Sequence, residues 1–351
     1  MDNELNNEPH EQNLQRIAWY IVIFVVLVVA TFWFVFKDQD MGAVIGAVMG
    51  ANTFFLLLGV ALMMGYFMVE AWNVRTLLKS FGENVPYKTA LKFALIEFFF
   101  CSVTPGASGG QPIEIYYMTR EKIKGANATV AIMIQTCGMQ LAVVLLGTLC
   151  LVLSPSLIHD NVLFLFVIGF IINGLALVIL MACLFSQRLA RKIVNGIFNI
   201  MKKIGIKKAA VWKEGANESL KQYGESAKYI KSHKKEFWIA MGKVLLQQSL
   251  FYLVPFCVYM ALGLSGRSVW ELFAMQSILF VATSGLPIPG AVGVSESVFL
   301  ALYAMAFGEE LVSSAMLLNR GVTFYLFVVV GMVVVFLNMV KLKNMKEKER
   351  K

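Results

Sequence analysis

The chain has 351 residues, 58% of them hydrophobic and 15% charged, with a net charge of +9. A soluble globular domain holds about 25% charged residues, so these figures exclude an ordinary soluble protein. Apolar runs recur that reach the ~20 residues a bilayer crossing needs, and the basic residues lie between them, which the positive-inside rule explains without nucleic acid. The alternating short segments of a β-barrel are absent.

In chain order, residues 1–15 form a polar tail in which no folded structure is expected. Residues 16–185 make a first membrane half. Ile17 to Phe36 is the first span, with Trp19 and Tyr20 as interfacial anchors. Met41 to Met49 is apolar, short and Gly-rich, either an interfacial segment or the start of the next helix; Asn52 to Met68 is the second span. The loop after it, carrying Arg75, Lys79, Lys88 and Lys92, is expected in the cytoplasm. Ala90 to Val103 enters the membrane, breaks at Thr104-Pro105, resumes near Pro112 and leaves through Arg120, Lys122 and Lys124. Ala128 to Leu153 and Val162 to Phe185 are spans joined by a loop without Lys or Arg, which belongs outside.

Residues 186–236 are a basic cytoplasmic insert. Within it Ile193, Ile197, Ile200 and Ile204 are spaced for an amphipathic helix on an anionic leaflet, with a solvated loop as the alternative. Residues 237–341 make the second half. Phe237 to Leu262 spans, and Ser268-Val-Trp-Glu271 is a capping box that starts a helix running to about Thr283. That helix breaks, resumes at Ser295 and ends near Gly308-Glu-Glu310; Leu311 to Val340 is the last span, and residues 342–351 are a basic tail. The expected fold class is an all-α polytopic membrane protein of six full transmembrane helices and two re-entrant broken hairpins. An inverted repeat and cytoplasmic termini in the cell (inner) membrane go with it.

The two breaks share a pattern. Pro105-Gly-Ala-Ser-Gly109 and Pro289-Gly-Ala-Val-Gly293 are both Pro-Gly-Ala-x-Gly, and both precede a glutamate, Glu114 and Glu296. Proline removes a backbone donor and glycine weakens a helix, and lipid cannot satisfy the opened backbone. A broken segment at membrane depth must therefore be buried in protein or line a watery cavity. Paired breaks in two halves point to a transporter-type binding site, with Pro105, Gly106, Gly109, Gly110, Pro289, Gly290 and Gly293 supplying the broken-helix backbone.

Ionisable residues in spans are costly and face interiors or cavities. Glu296 reads as a helix-start carboxylate or as a binding group, and Arg320 as its partner or as a planar, bidentate partner for a lipid phosphate. The expectation is that the two pair when the site is empty and bind opposite charges of a zwitterionic headgroup when it is loaded. Glu114 and Arg120 flank the first break in the same way, with an interfacial anchor as the alternative for Arg120; Gln111, Ser108 and Ser295 complete the candidate substrate-binding set. Glu97 has a snorkelling or paired structural role as its equal alternative, and Gln135, Gln140, Gln247 and Gln276, like Gln111, read first as interhelical glue. Arg75 and Lys79 are expected to touch lipid phosphates without selectivity.

No catalytic residue, metal site or cofactor is expected. The five cysteines lack metal-type spacing, the histidines His10, His159 and His233 fall in polar regions, and there is no Walker A loop.

Pro289-Gly-Ala-Val-Gly-Val-Ser-Glu296 with Arg320, and Thr104-Pro-Gly-Ala-Ser-Gly-Gly-Gln-Pro112 with Tyr116-Tyr-Met-Thr-Arg120, resemble the two hallmarks of the lysylphosphatidylglycerol synthase transmembrane, or flippase-like, family. The resemblance runs from about residue 15 to residue 341. It is similar to the membrane domain of the multiple peptide resistance factor, where such a domain is fused to a soluble aminoacyl-transferase. No such domain follows here, so the chain is not expected to be an enzyme by itself. What the resemblance implies is a translocase for a phospholipid, an aminoacyl-phosphatidylglycerol or a polyprenyl-phosphate-type lipid. The alternatives are a membrane component of lysylphosphatidylglycerol synthesis, with its link to cationic peptide resistance, or a scaffold for a soluble partner. The expected partners are lipids with anionic or zwitterionic headgroups, with a separate soluble transferase and a homo-oligomer left open.

Overall fold

The computed structural model describes residues 41–157, 160–186, 234–286 and 288–349, with Val26, Trp33, Arg188, Leu189, Arg191, Lys192, Asn195 and Gly196 besides. Apart from those single residues, the expected first span, the polar tail and the amphipathic helix of the basic insert lie outside the described residues, as do the three histidines.

The described residues are helical and contain no strand. α1 is Met41–Gly50, α2 Thr53–Ser80, α3 Tyr87–Val103, α4 Gly110–Arg120, α5 Gly125–Leu153 and α6 Asp160–Phe185. Then follow α7 (Lys234–Tyr252), α8 (Val254–Ala261), α9 (Val269–Ser284), α10 (Val294–Arg320) and α11 (Leu326–Glu349). Among the described residues, five stretches are long and apolar enough to cross a membrane: Thr53–Ser80, Gly125–Leu153, Val162–Phe185, Lys234–Ala261 and Pro289–Met339. Burial runs the opposite way from a soluble protein. Phe164, Val178 and Phe336 are exposed, whereas Gln247, Gln248, Ser277 and Ser314 are fully buried. Lipid satisfies an apolar surface but no polar group, so the polar side chains turn inward.

Several expected boundaries move. α2 runs past Met68 to Ser80, because Ala71, Val74, Leu77 and Leu78 stay buried against the core. Arg75 and Lys79 are therefore helical rather than in a loop, and Arg75 Nε donates to the Val85 carbonyl at 2.9 Å, tying the helix end to the chain that returns. The expected span Phe237 to Leu262 is two helices. Pro255 has no N–H to give, and the chain turns at Leu253 before α8 resumes. Gly308, at φ 74° and ψ 161°, breaks α10 where a helix end was expected. The capping box is present: Ser268 Oγ accepts from the Glu271 N–H at 3.1 Å, and Glu271 Oε2 accepts from the Ser268 N–H at 2.8 Å.

α2 packs on α3, α7 and α8; α5 packs on α6, α7 and α9; α11 lies along α3, and α1 leans on α10. The two breaks meet where these groups join.

Candidate functional site

Both Pro-Gly-Ala segments fold as single 3-10 turns, Pro105–Ala107 and Pro289–Ala291. Their backbones match: Gly106 and Gly290 both have φ of 58°, and Ala107 and Ala291 follow at 54° and 50°. Two successive left-handed residues are rare in an L-chain, so the shared pentapeptide encodes a shared conformation. A side chain at Gly290 would also meet the Phe324 ring at 2.5 Å and the Ser102 carbonyl at 3.3 Å. The second turn is thus seated on the end of α3, beside the first. At Gly110 a Cβ would lie 2.2 Å from Cys101 Sγ and 3.0 Å from Glu97 Oε1, so the glycine lets α4 start against the carboxylate of α3.

The turns border a cavity of about 320 Å³, whose wall includes Gly106, Ala107, Gly290 and Ala291. Arg320 forms one side. Its Nε donates to Glu296 Oε1 at 2.7 Å, its Nη2 donates to the Gly290 carbonyl at 3.1 Å and to Ser295 Oγ, and its plane lies over the Phe324 ring at 4.6 Å. None of these bonds uses Nη1. The other carboxylate oxygen of Glu296 accepts from the Gly293 N–H at 2.7 Å and from Ser295 Oγ at 2.9 Å. One oxygen of Glu296 thus caps α10 and the other holds the arginine. The π-helical turn Gly321–Tyr325 follows Arg320 directly, a feature that gathers at functional sites.

Glu296 is only 1% exposed and does not border the cavity. It is a positioning group for Arg320, so the expectation that it binds a headgroup charge itself is not what the geometry offers. The acidic side of the cavity is elsewhere. Glu70, Glu97 and Glu114 all border it. Glu97 Oε1 accepts from Cys101 Sγ at 3.0 Å and from Gln111 Nε2 at 3.2 Å. Glu70 Oε2 ends a chain of buried amides: Asn73 donates to Gln135 at 2.7 Å, Gln135 to Gln247 at 2.8 Å, and Gln247 to Glu70 at 2.9 Å. Glu114 is 2% exposed, and its Oε1 has no hydrogen-bond partner.

Of the expected residues, the structure brings together Arg320, Glu296, Ser295, Glu114 and Gln111. Ser108 and Arg120 are exposed and lie outside the cavity wall. Arg120 does not mirror Arg320: its Nε donates to Tyr116 Oη at 3.1 Å and its guanidinium lies over the Tyr116 ring, so Glu114 has no arginine. Glu70 was missed by sequence reasoning. It sits two residues beyond the expected span end at Met68, where an acid reads as interfacial; the buried positions that continue α2 were the available signal. No cluster of His, Cys, Asp and Glu among the described residues is arranged to hold a metal ion.

A family model described as the lysylphosphatidylglycerol synthase TM region matches residues 20–331 of the chain. None of the curated proteins matches it.

Proposed function

The chain belongs to the lysylphosphatidylglycerol synthase transmembrane-region family, and on that premise we propose that it is a lipid translocase. It would move a lipid with a phosphate-bearing headgroup between the leaflets of the cell membrane, with both termini in the cytoplasm. The observation that carries this reading is Arg320: a guanidinium at membrane depth, 15% exposed on the wall of a cavity between two broken segments, with Nη1 outside its three bonds. Its planar fork suits a phosphate. The cavity has room for a headgroup while acyl chains stay in lipid, and the broken backbone lines it as such breaks do in transporters. The phospholipid, aminoacyl-phosphatidylglycerol and polyprenyl-phosphate classes all present the phosphate that this site would hold.

A leaflet-accessibility assay in proteoliposomes tests the reading, comparing fluorescent phosphatidylglycerol, its lysyl form and a polyprenyl phosphate. Protein-dependent movement of at least one is expected and names the class. If all three stay in their leaflet with the protein folded, the translocase reading fails. The family's description, which names a synthase, supports a second reading as the membrane partner of a soluble lysyltransferase. Lysylphosphatidylglycerol formation that requires this chain beside such an enzyme would favour it.

A further inference from the structure

Glu70, Glu97 and Glu114 come from three different helices, α2, α3 and α4, and share one cavity wall. The basic residue on that wall is Arg320, and it is already paired with Glu296. The other titratable groups facing the cavity are Tyr66 on α2 and Cys101 on α3; α5, α6 and α9 contribute amides and no charge, α7 contributes Phe251, and Lys243 of α7 turns to Thr76 and the Trp72 ring. Three buried polar atoms without partners border the same space from different elements. They are Glu114 Oε1, Gln140 Oε1 on α5 and, on α10, Oδ1 of Asn319, which is 3% exposed. Buried polar groups are normally satisfied, so an orphaned carboxylate oxygen and two orphaned amide oxygens in one cavity mark a place where a small donor binds.

We propose that Glu70, Glu97 and Glu114 form a proton-binding site whose occupancy is coupled to headgroup passage. The inference rests on the translocase reading and supplies its driving ion. An incoming phosphate meets Arg320 attractively and every ionised carboxylate repulsively, in a setting where charges are weakly screened. A proton taken from water onto a carboxylate oxygen removes that repulsion and gives the acid a hydrogen to donate. When the phosphate leaves, the O–H bond breaks and the proton returns to water on the side where the headgroup was released. No other bond changes. A metal cation is a poorer occupant, because the acidic groups are not arranged as ligands about one point.

The test uses the full-length chain in proteoliposomes with fluorescent phosphatidylglycerol and a pH gradient of either sign. For one proton per lipid, the leaflet ratio at steady state shifts by about tenfold per pH unit and reverses with the gradient. Glu114→Gln is expected to lose the response to the gradient, whatever rate of movement it keeps. Lipid movement in the wild-type protein with a ratio that ignores pH overturns the coupling, and a ratio set instead by a sodium gradient overturns it in favour of a metal cation. If no lipid moves at all, the translocase reading falls. Proton binding is then read separately by infrared difference spectroscopy. A carboxylic-acid C=O band that changes with pH and is lost in Glu114→Gln supports the site, and its absence from the wild-type protein overturns it.

Discussion

Arg320 is held on three sides and open on one. Its Nε bond to Glu296 is 2.7 Å long, and Glu296 is itself fixed by the Gly293 N–H. Removing one partner of a buried pair leaves the other charge uncompensated, a loss of about 3–5 kcal/mol. Glu296→Gln should therefore lower the unfolding temperature in detergent clearly more than Ser108→Ala, which alters an exposed loop position. Equal melting of the two would show the pair to be idle. At Gly290, φ is 58° and a Cβ would meet the Phe324 ring at 2.5 Å. Left-handed strain is worth about 1–3 kcal/mol, so Gly290→Ala should destabilise by at least that much in a denaturant or thermal titration. The pairing of Glu296 with Arg320 was legible in the sequence because both are charged residues at membrane depth. The division of labour between them was not, since only the fold decides which of the two side chains borders the cavity.

At the scale of elements, the turn was legible and the polar core was not. Pro-Gly-Ala-x-Gly twice in apolar sequence announces two breaks, and both take the same backbone over Pro-Gly-Ala. They diverge at the second glycine, φ −88° at Gly109 and φ 90° at Gly293. That difference, with the missing arginine partner of Glu114, makes the two halves unlike in chemistry. Two of the amides that read as glue are glue: Gln135 and Gln247 join α2, α5 and α7 in one buried chain. Interhelical hydrogen bonds in membranes contribute about 0.6–2 kcal/mol each. Gln247→Leu severs two of them and should lower the melting temperature more than Gln140→Leu, since Gln140 Oε1 has no partner to lose. The reverse order would show that the chain does not hold these helices together.

For the whole molecule, α5 is the ruler. Its 29 residues span about 44 Å at 1.5 Å per residue, enough to cross the bilayer from face to face. Next to its start, the Lys124 N–H and Asn127 Nδ2 both donate to Glu83 Oε1, at 3.2 and 2.8 Å. Beyond its end, Ser154 Oγ accepts from Trp270 Nε1 at 3.0 Å. The loop holding Glu83 and the loop holding Ser268 therefore belong to opposite faces. Impermeant thiol reagents should label Lys124→Cys and Ser156→Cys from opposite sides in a cysteine-free background, Lys124→Cys from the cytoplasm if the basic loops lie inside. Labelling of both from one side would refute this architecture. Hydropathy showed the spans; it could not show that the two distant breaks touch, because that contact depends on how α3, α10 and α11 pack.

The central claim is that a lipid phosphate crosses the membrane on Arg320. Its most direct test is the rate of leaflet exchange of the lipid that the wild-type protein moves, measured for Arg320→Gln and Arg320→Lys in proteoliposomes, with monodispersity and melting as checks of folding. The account predicts a fall of at least about tenfold for Arg320→Gln, the effect of one lost charge-assisted contact of roughly 1.5 kcal/mol or more. Partial recovery is predicted for Arg320→Lys, which keeps the charge without the fork. Folded Arg320→Gln protein that moves the lipid at the wild-type rate would contradict it.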